Sequence, residues 1–373
     1  HTIDQGLAVG AVALAPVQQW FFDQAIPERQ HWNQSLLLIP RERLDGAALE
    51  QALQQLLQHH DGLRLRYERS DAGWQQAYAG LTSASPLWQR QADSEQALLA
   101  LYDQAQRSLD LEQGPLLRAL LVDLQDGSQR LLLVIHHLVV DGVSWRVLLE
   151  DLQQCYRQGA ALPAKTSAYQ HWVARLQAHL PVFQHSLAHW QAQLHGASGE
   201  LPCDHANGAL ENRFEQKVEI RLDAAHTRKL LQDAPAAYRT QVNDLLLTAL
   251  ARVVCRWTGQ GSTLIQLEGH GREDLFDDID LTRTVGWFTS LFPVNLTPGA
   301  EVGASIKTIK EQLRAVPDKG LGYGALRYLA EPAIGAALAA LPTPRITFNF
   351  MGQFDRQFDE AALFVPSSEG HGA

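Results

Sequence analysis

Residues 131–146, LLLVIHHLVVDGVSWR, constrain the fold more than any other stretch of the chain. Leu131–Ile135 is an unbroken apolar run of strand length, the pattern of a strand buried on both faces. Beyond it, Leu148, Leu149, Leu152 and Tyr156 recur at helical spacing, and Ser144 stands where a cap is needed. The pattern predicts a buried strand, a tight loop and a helix. It places His136 and His137 at the end of the strand, with Asp141 and Gly142 in the loop.

The rest of the chain repeats this mixture. Pro16 opens a short helix ending near Phe22, and Asp45 caps a helix with Leu49, Ala52, Leu53, Leu56 and Leu57 on one stripe. Leu63–Tyr67 alternates as a strand. After a helix beginning near residue 176, a looser segment rich in Gly, Ala and Asn runs to residue 212 and marks a boundary between halves. The second half opens with a predicted strand, Lys217–Leu222. A helix follows from Asn243 with Leu246, Leu250, Val253 and Trp257 on one face. A further strand, Thr263–Leu267, ends in Glu268-Gly269-His270-Gly271-Arg272. Each half thus uses a buried strand to deliver polar groups, and the fold class is mixed α/β (α+β).

Composition narrows the classes. A length of 373 residues suits two domains. The net charge of −10 and the lack of a Lys/Arg-rich run argue against nucleic acid or an anionic membrane as partner. The longest apolar stretch, residues 7–17, is too short to span a bilayer. Three separated cysteines without CxxC spacing suit a reducing cytoplasm and no zinc ribbon. His1 as first residue, with Met351 the only methionine, reads as a piece of a longer polypeptide.

His136-His137 and Asp141-Gly142 alone are compatible with a strand-end turn around packed histidines, or with acid–base chemistry. Zinc spacings such as HExxH are absent. Glu268 at the end of a buried strand is compatible with a proton-transfer group of raised pKa, or with a salt bridge to Arg272. Several imitations are set aside. His59-His60-Asp61-Gly62 reads as structural, and Glu369–Gly372 as a tail. Gly320-Leu-Gly322-Tyr-Gly324 follows no strand and is no dinucleotide loop. Asp274, Asp277, Asp278 and Asp280 read as a solvated face, and Ser144 lacks the setting of a nucleophile elbow.

Taken in order, the motifs carry a family resemblance. PVQQWFF, HHLVVDGVSW, NDLLLTAL, EGHGRE, RTVGWFTSLFPV, GLGYG and FNFMGQFD cover nearly the whole chain. They resemble the motifs of epimerization domains of nonribosomal peptide synthetases, in the condensation-domain superfamily. The Ser144-Trp145 ending is similar to epimerization rather than condensation domains.

The resemblance implies a V-shaped pseudodimer of two chloramphenicol-acetyltransferase-like lobes, residues 1–178 and 179–373, with a tunnel between them. It implies inversion, L toward D, at the α-carbon of an aminoacyl or peptidyl thioester. That substrate would ride on the phosphopantetheine arm of an upstream peptidyl carrier domain, with a condensation domain downstream, in the cytoplasm. No metal or cofactor of the domain's own is implied. His137 and Glu268 take the catalytic positions, one from each lobe. His136, Asp141, Gly142, Ser144, Trp145, His270, Arg272, Asn349 and Phe350 take supporting ones, with His136 structural and Asp141 fixing the loop beside an arginine. Phe350 stands where the family usually has tyrosine. The chain also ends at Ala373, short of the strand-and-helix stretch with which the family domain continues, so the second lobe reads as truncated.

Overall fold

Eleven strands among the described residues form three sheets around the predicted elements. The structure is a computed structural model that describes residues 2–159, 161–352 and 362–371. The chain divides into two compact units. The first takes residues 1–179, 270–289 and 351–373; the second takes 180–269 and 290–350. The first break falls after His179, and the first unit is assembled from three separate stretches of the chain. Two later segments return to the first unit because their bonding lies there. Phe364–Pro366 pairs with Asn33–Pro40, and the stretch 280–288 bonds to Asp141, Ser144 and Ser167.

In the first unit a five-stranded sheet runs in the order Phe364–Pro366, Asn33–Pro40, Gln129–His136, Leu117–Leu124, Leu87–Ala92. Neighbours are antiparallel except the last pair, which is parallel. Gln129–His136 is a central strand and is buried nearly throughout, as its apolar run predicts. Helix Glu95–Gln106, capped by Ser94, packs Leu98, Tyr102 and Ala105 with Leu37, Leu120, Val122, Leu132 and Val134. Helices Gly46–His59 and Gly142–Gln158 pack against each other. Asp45 caps the first of these as expected, through a bond from Ala48 N–H at 3.2 Å. A three-stranded antiparallel sheet, Gly10–Val12, Gly73–Tyr78 and Leu65–Ser70, completes the unit.

In the second unit Thr263–Gly269 lies between Ser290–Leu296, antiparallel, and Ile346–Phe348, parallel. Helix Val242–Thr258 appears where expected but turned on its axis. Leu245, Leu247, Thr248, Ala251 and Val254 are its buried residues, whereas Val253 is 64% exposed and Trp257 55%. Leucines stand at three consecutive positions there, so periodicity does not select one face. The predicted strand Lys217–Leu222 is absent. Val218 and Ile220 are 91% and 89% exposed, and no described strand pairs with the segment. Alternation marks a segment fit for a strand, but a strand exists only beside a neighbour.

Candidate active site

The histidine strand ends at His136, and a single turn, His137–Val139, carries the chain to the helix. His136 is fully buried. Its Nε2 lies 2.6 Å from the Arg29 carbonyl, which only accepts, so Nε2 carries the proton and Nδ1 accepts from Leu138 N–H at 3.1 Å. Burial lowers its pKa to about 4, with the Arg29 carbonyl acting the other way to a smaller extent. His136 is a neutral structural group with both nitrogens in use.

That setting has a consequence for stability. The unfolded ring titrates near 6.5 and the folded one near 4, so between these values the unfolded chain binds the proton more tightly. The contribution of His136 is complete above pH 6.5 and is lost as pH falls toward 4, amounting to about 3 kcal/mol. His136→Gln is expected to be less stable than the wild type at pH 7 yet to lose less on acidification. Parallel urea-unfolding curves for the two proteins across pH 4–7 would contradict this.

His137 has a different environment. Its Nδ1 lies 3.0 Å from the Val140 carbonyl, so Nδ1 holds the proton of the neutral ring and Nε2 holds the lone pair. The Trp287 ring lies over the imidazole, with centroids 4.3 Å apart, and Trp32 meets it edge-on at 6.3 Å. Burial holds the His137 pKa below the ordinary histidine value, while the Val140 carbonyl and Asp141 act the other way.

Asp141, not Ser144, caps the helix Gly142–Gln158. The aspartate is one position before Gly142, the first helical residue, and its Oδ1 reaches Ser144 N–H at 2.9 Å. Ser144, within the first turn, uses its hydroxyl elsewhere. The oxygen lies 2.8 Å from Asp141 Oδ1 and 2.9 Å from the Gly286 carbonyl, and accepts from Gly286 N–H at 3.0 Å. Asp141 Oδ2 accepts from Phe288 N–H at 3.1 Å. The expected arginine partner is Arg272. Its Nη2 reaches Asp141 Oδ1 at 2.8 Å, its Nη1 bonds the Leu281 and Thr284 carbonyls, and its guanidinium lies over the Phe288 ring. Both side chains are less than a tenth exposed. His270, by contrast, is exposed; its Nδ1 accepts from Arg272 N–H.

Trp145 is buried, and its indole N–H donates to Gln34 Oε1 at 2.9 Å. Gln34 Nε2 in turn lies 3.4 Å from His137 Nε2. Thus the first unit gathers His137, Asp141, Ser144, Trp145 and Arg272, and adds Gln34 and Trp287. Trp287 lies within the RTVGWFTSLFPV motif; nothing in the sequence singles out Gln34.

Glu268, Asn349 and Phe350 belong to the second unit. Glu268 is the next-to-last residue of its strand and pairs with Leu291. It is partly buried, and desolvation raises its pKa above the ordinary carboxylate value. Gly269 follows, where a Cβ would come within 2.6 Å of Ser290 Oγ and that hydroxyl would have to rotate away to admit it. The parallel register sets Phe348 beside Leu267, so Asn349 and Phe350 leave the sheet at the end where Glu268 stands; both are exposed. The remaining residues of that motif, Gln353, Phe354 and Asp355, lie outside the described residues, as does Gly372 of the C-terminal EGHG.

The sequences set aside have structural settings. His60 Nε2 bonds Asp151 at 2.7 Å, both are buried, and Arg283 holds the other Asp151 oxygen. His59 brings a third donor atom, all within 4.8 Å of one another, and Asp61 is held by Arg64 and Lys165. Gly320 caps helix Leu321–Tyr328 in the left-handed conformation (φ 92°), with no strand leading into it. Asp278 meets Arg175 at 3.1 Å, and Asp280 caps the turn at Thr282. Glu369 pairs with Arg130.

These elements recur in known proteins. The condensation-domain family matches residues 9–368, and the chain belongs to that family. It is 43% identical to a component of the linear gramicidin synthase of Brevibacillus parabrevis, over 99% of this chain and 5% of that protein. It is 39% identical to tyrocidine synthase 2 of the same organism, over 98% of this chain and 11% of that one. The chain therefore spans a small part of the curated relatives it matches. Among solved structures, the epimerization domain from the third module of tyrocidine synthetase B is 38% identical, with a TM-score of 0.90. That match covers all of this chain and 86% of the other. The X-domain from teicoplanin biosynthesis shares the fold, at 24% identity and a TM-score of 0.74 over 90% and 75% of the chains. No helix among the described residues is long and apolar enough to cross a membrane.

Proposed function

We propose that this chain is an epimerization domain of a nonribosomal peptide synthetase. It inverts the α-carbon of an aminoacyl or peptidyl thioester held on the phosphopantetheine arm of a carrier domain. The observation that carries the reading is a pair of groups able to transfer protons, His137 and Glu268, each set at the end of a strand. Burial raises the Glu268 carboxyl and lowers His137. Burial thus disfavours the charged form of each, leaving a neutral imidazole and a carboxyl that holds its proton more tightly. The full-length similarity to an epimerization domain supports the same reading.

The chemistry is a proton exchange. One group takes the α-proton, and the electron pair of the broken C–H bond moves into the thioester carbonyl, giving an enolate. The other group returns a proton to the opposite face, and the carbonyl re-forms. His137, with Nδ1 bonded to a backbone carbonyl, offers Nε2; Glu268 offers its carboxyl. Asp141 and Arg272 hold the loop that follows His137. An upstream carrier domain, a downstream condensation domain and a cytoplasmic setting accompany this proposal.

The test is deuterium uptake from D2O at the α-carbon of a carrier-bound aminoacyl thioester, with chiral analysis of the released acid. Exchange and an L/D mixture are expected. Peptide-bond formation between two loaded carriers, without exchange, would instead assign a condensation activity. Carrier binding with neither reaction would assign a docking role.

A further inference from the structure

Gln34 lies on the strand Asn33–Pro40, opposite Ile135 of the histidine strand. Its amide touches two residues of the HHLVVDGVSW motif. The Trp145 indole N–H is a donor only, so the Gln34 oxygen must face it, at 2.9 Å. The Gln34 amino group is thereby turned toward His137 Nε2, 3.4 Å away. On the far side of the same imidazole, the Val140 carbonyl fixes the proton on Nδ1. The order of donation is then settled from end to end: Trp145 N–H to Gln34 carbonyl, Gln34 N–H to His137 Nε2, His137 Nδ1–H to Val140.

We infer that Gln34, locked by Trp145, is a positioning residue that aims His137 Nε2 and disfavours the imidazolium form. If His137 were protonated at Nε2, two N–H donors would face each other, and the amide could relieve this only by rotating. Rotation would break its bond to Trp145 and set the amino group against the indole N–H. The pair therefore lowers the proton affinity of Nε2, and the Gln34 N–H must give up that lone pair when Nε2 takes a proton, which is then released readily. It also gives the tryptophan after Ser144 a physical task, which the motif alone did not supply.

Other charged and titratable neighbours do not take this role. Asp141 favours the imidazolium, and its oxygens already accept from Ser144, Arg272 and Phe288. His136 is neutral and bonded to Arg29 and Leu138, and His31 bonds the Gln106 carbonyl. Trp32 and Trp287 bring uncharged rings.

The consequence for catalysis rests on His137 being a proton-transfer group; the hydrogen-bond order does not. The experiment separates the two. In the full chain with 15N-labelled histidine, His137 assigned through His137→Asn, NMR is expected to find the neutral Nδ1–H tautomer. Gln34→Glu, which places an acceptor against Nε2, is expected to raise the His137 titration midpoint by more than one pH unit. Trp145→Phe, which keeps a ring but frees the amide to turn, is expected to raise it less. With a loaded carrier, the acid limb of α-proton exchange moves to higher pH in both variants, and kcat falls ~10-fold or more with KM little changed. An Nε2–H tautomer in the wild type, or a midpoint unmoved by both substitutions, would overturn the inference even if exchange occurs. The expected NMR result without exchange would keep the hydrogen-bond order and remove the epimerase reading.

Discussion

Arg272→Met is expected to lower the stability of the first unit by about 3 kcal/mol, near the lower end of the range for breaking a buried ion pair. Asp141 and Arg272 are both nearly inaccessible to water. Removing the guanidinium leaves a buried carboxylate without its countercharge and frees the Leu281 and Thr284 carbonyls. The loss stays below the upper end because Asp141 keeps two backbone donors, Ser144 N–H and Phe288 N–H. Lysine should restore little of it, since one ammonium cannot serve two carbonyls and a carboxylate with the planar fork of arginine. The measurement is urea unfolding, with hydrogen-exchange protection of residues 141–145 and 281–288 read alongside to locate the loss. A change below 1 kcal/mol, or full rescue by Arg272→Lys, would show that the pair does not hold this unit together. In a double-mutant cycle with Asp141→Asn, the two substitutions should couple strongly.

The clarity of the sequence varies with the kind of force that fixes each part. The strand Gln129–His136 is plain because a central strand buried on both faces leaves an unbroken apolar run. The helix after it is plain by period, but its cap is not. Asp141 and Ser144 are both good capping residues, and only the bonds to Gly286, Phe288 and Arg272 assign the aspartate to the cap and the serine hydroxyl to a distant backbone. Local alternation predicts a strand at Lys217–Leu222, where the described fold offers no partner strand. The consecutive leucines of Val242–Thr258 hide which side faces inward. Of the candidate residues, family motifs mark His137, Trp145, Arg272 and Glu268 but not Gln34. A glutamine in a strand carries no periodic or compositional signal; its significance arises only from pairing between segments about a hundred residues apart.

Glu268→Gln is expected to reduce α-proton exchange by a factor of about 10²–10⁴, the range for removing a positioned acid or base. Glutamine keeps the size and much of the shape of the side chain but cannot take or give the proton. Stability should move the other way. Desolvation raises the folded pKa of Glu268 above the ordinary carboxylate value, so the folded chain holds the proton more tightly than the unfolded one. The sign follows from linkage. Stability falls as pH rises from the unfolded carboxylate pKa through the folded one, and at pH 7 the ionised side chain opposes folding. A neutral amide removes that opposition. The variant should therefore be as stable as the wild type at pH 7, or more so, while inactive. That combination marks a group retained for chemistry rather than for structure, and a merely structural carboxylate would not give it. His137→Asn should remove exchange to a similar extent. Because burial lowers the His137 pKa, the acid-side loss of activity that its protonation causes should lie below pH 6.5. Wild-type exchange by Glu268→Gln would exclude the carboxylate from proton transfer. Loss of exchange with a matching loss of stability would instead assign Glu268 to the fold.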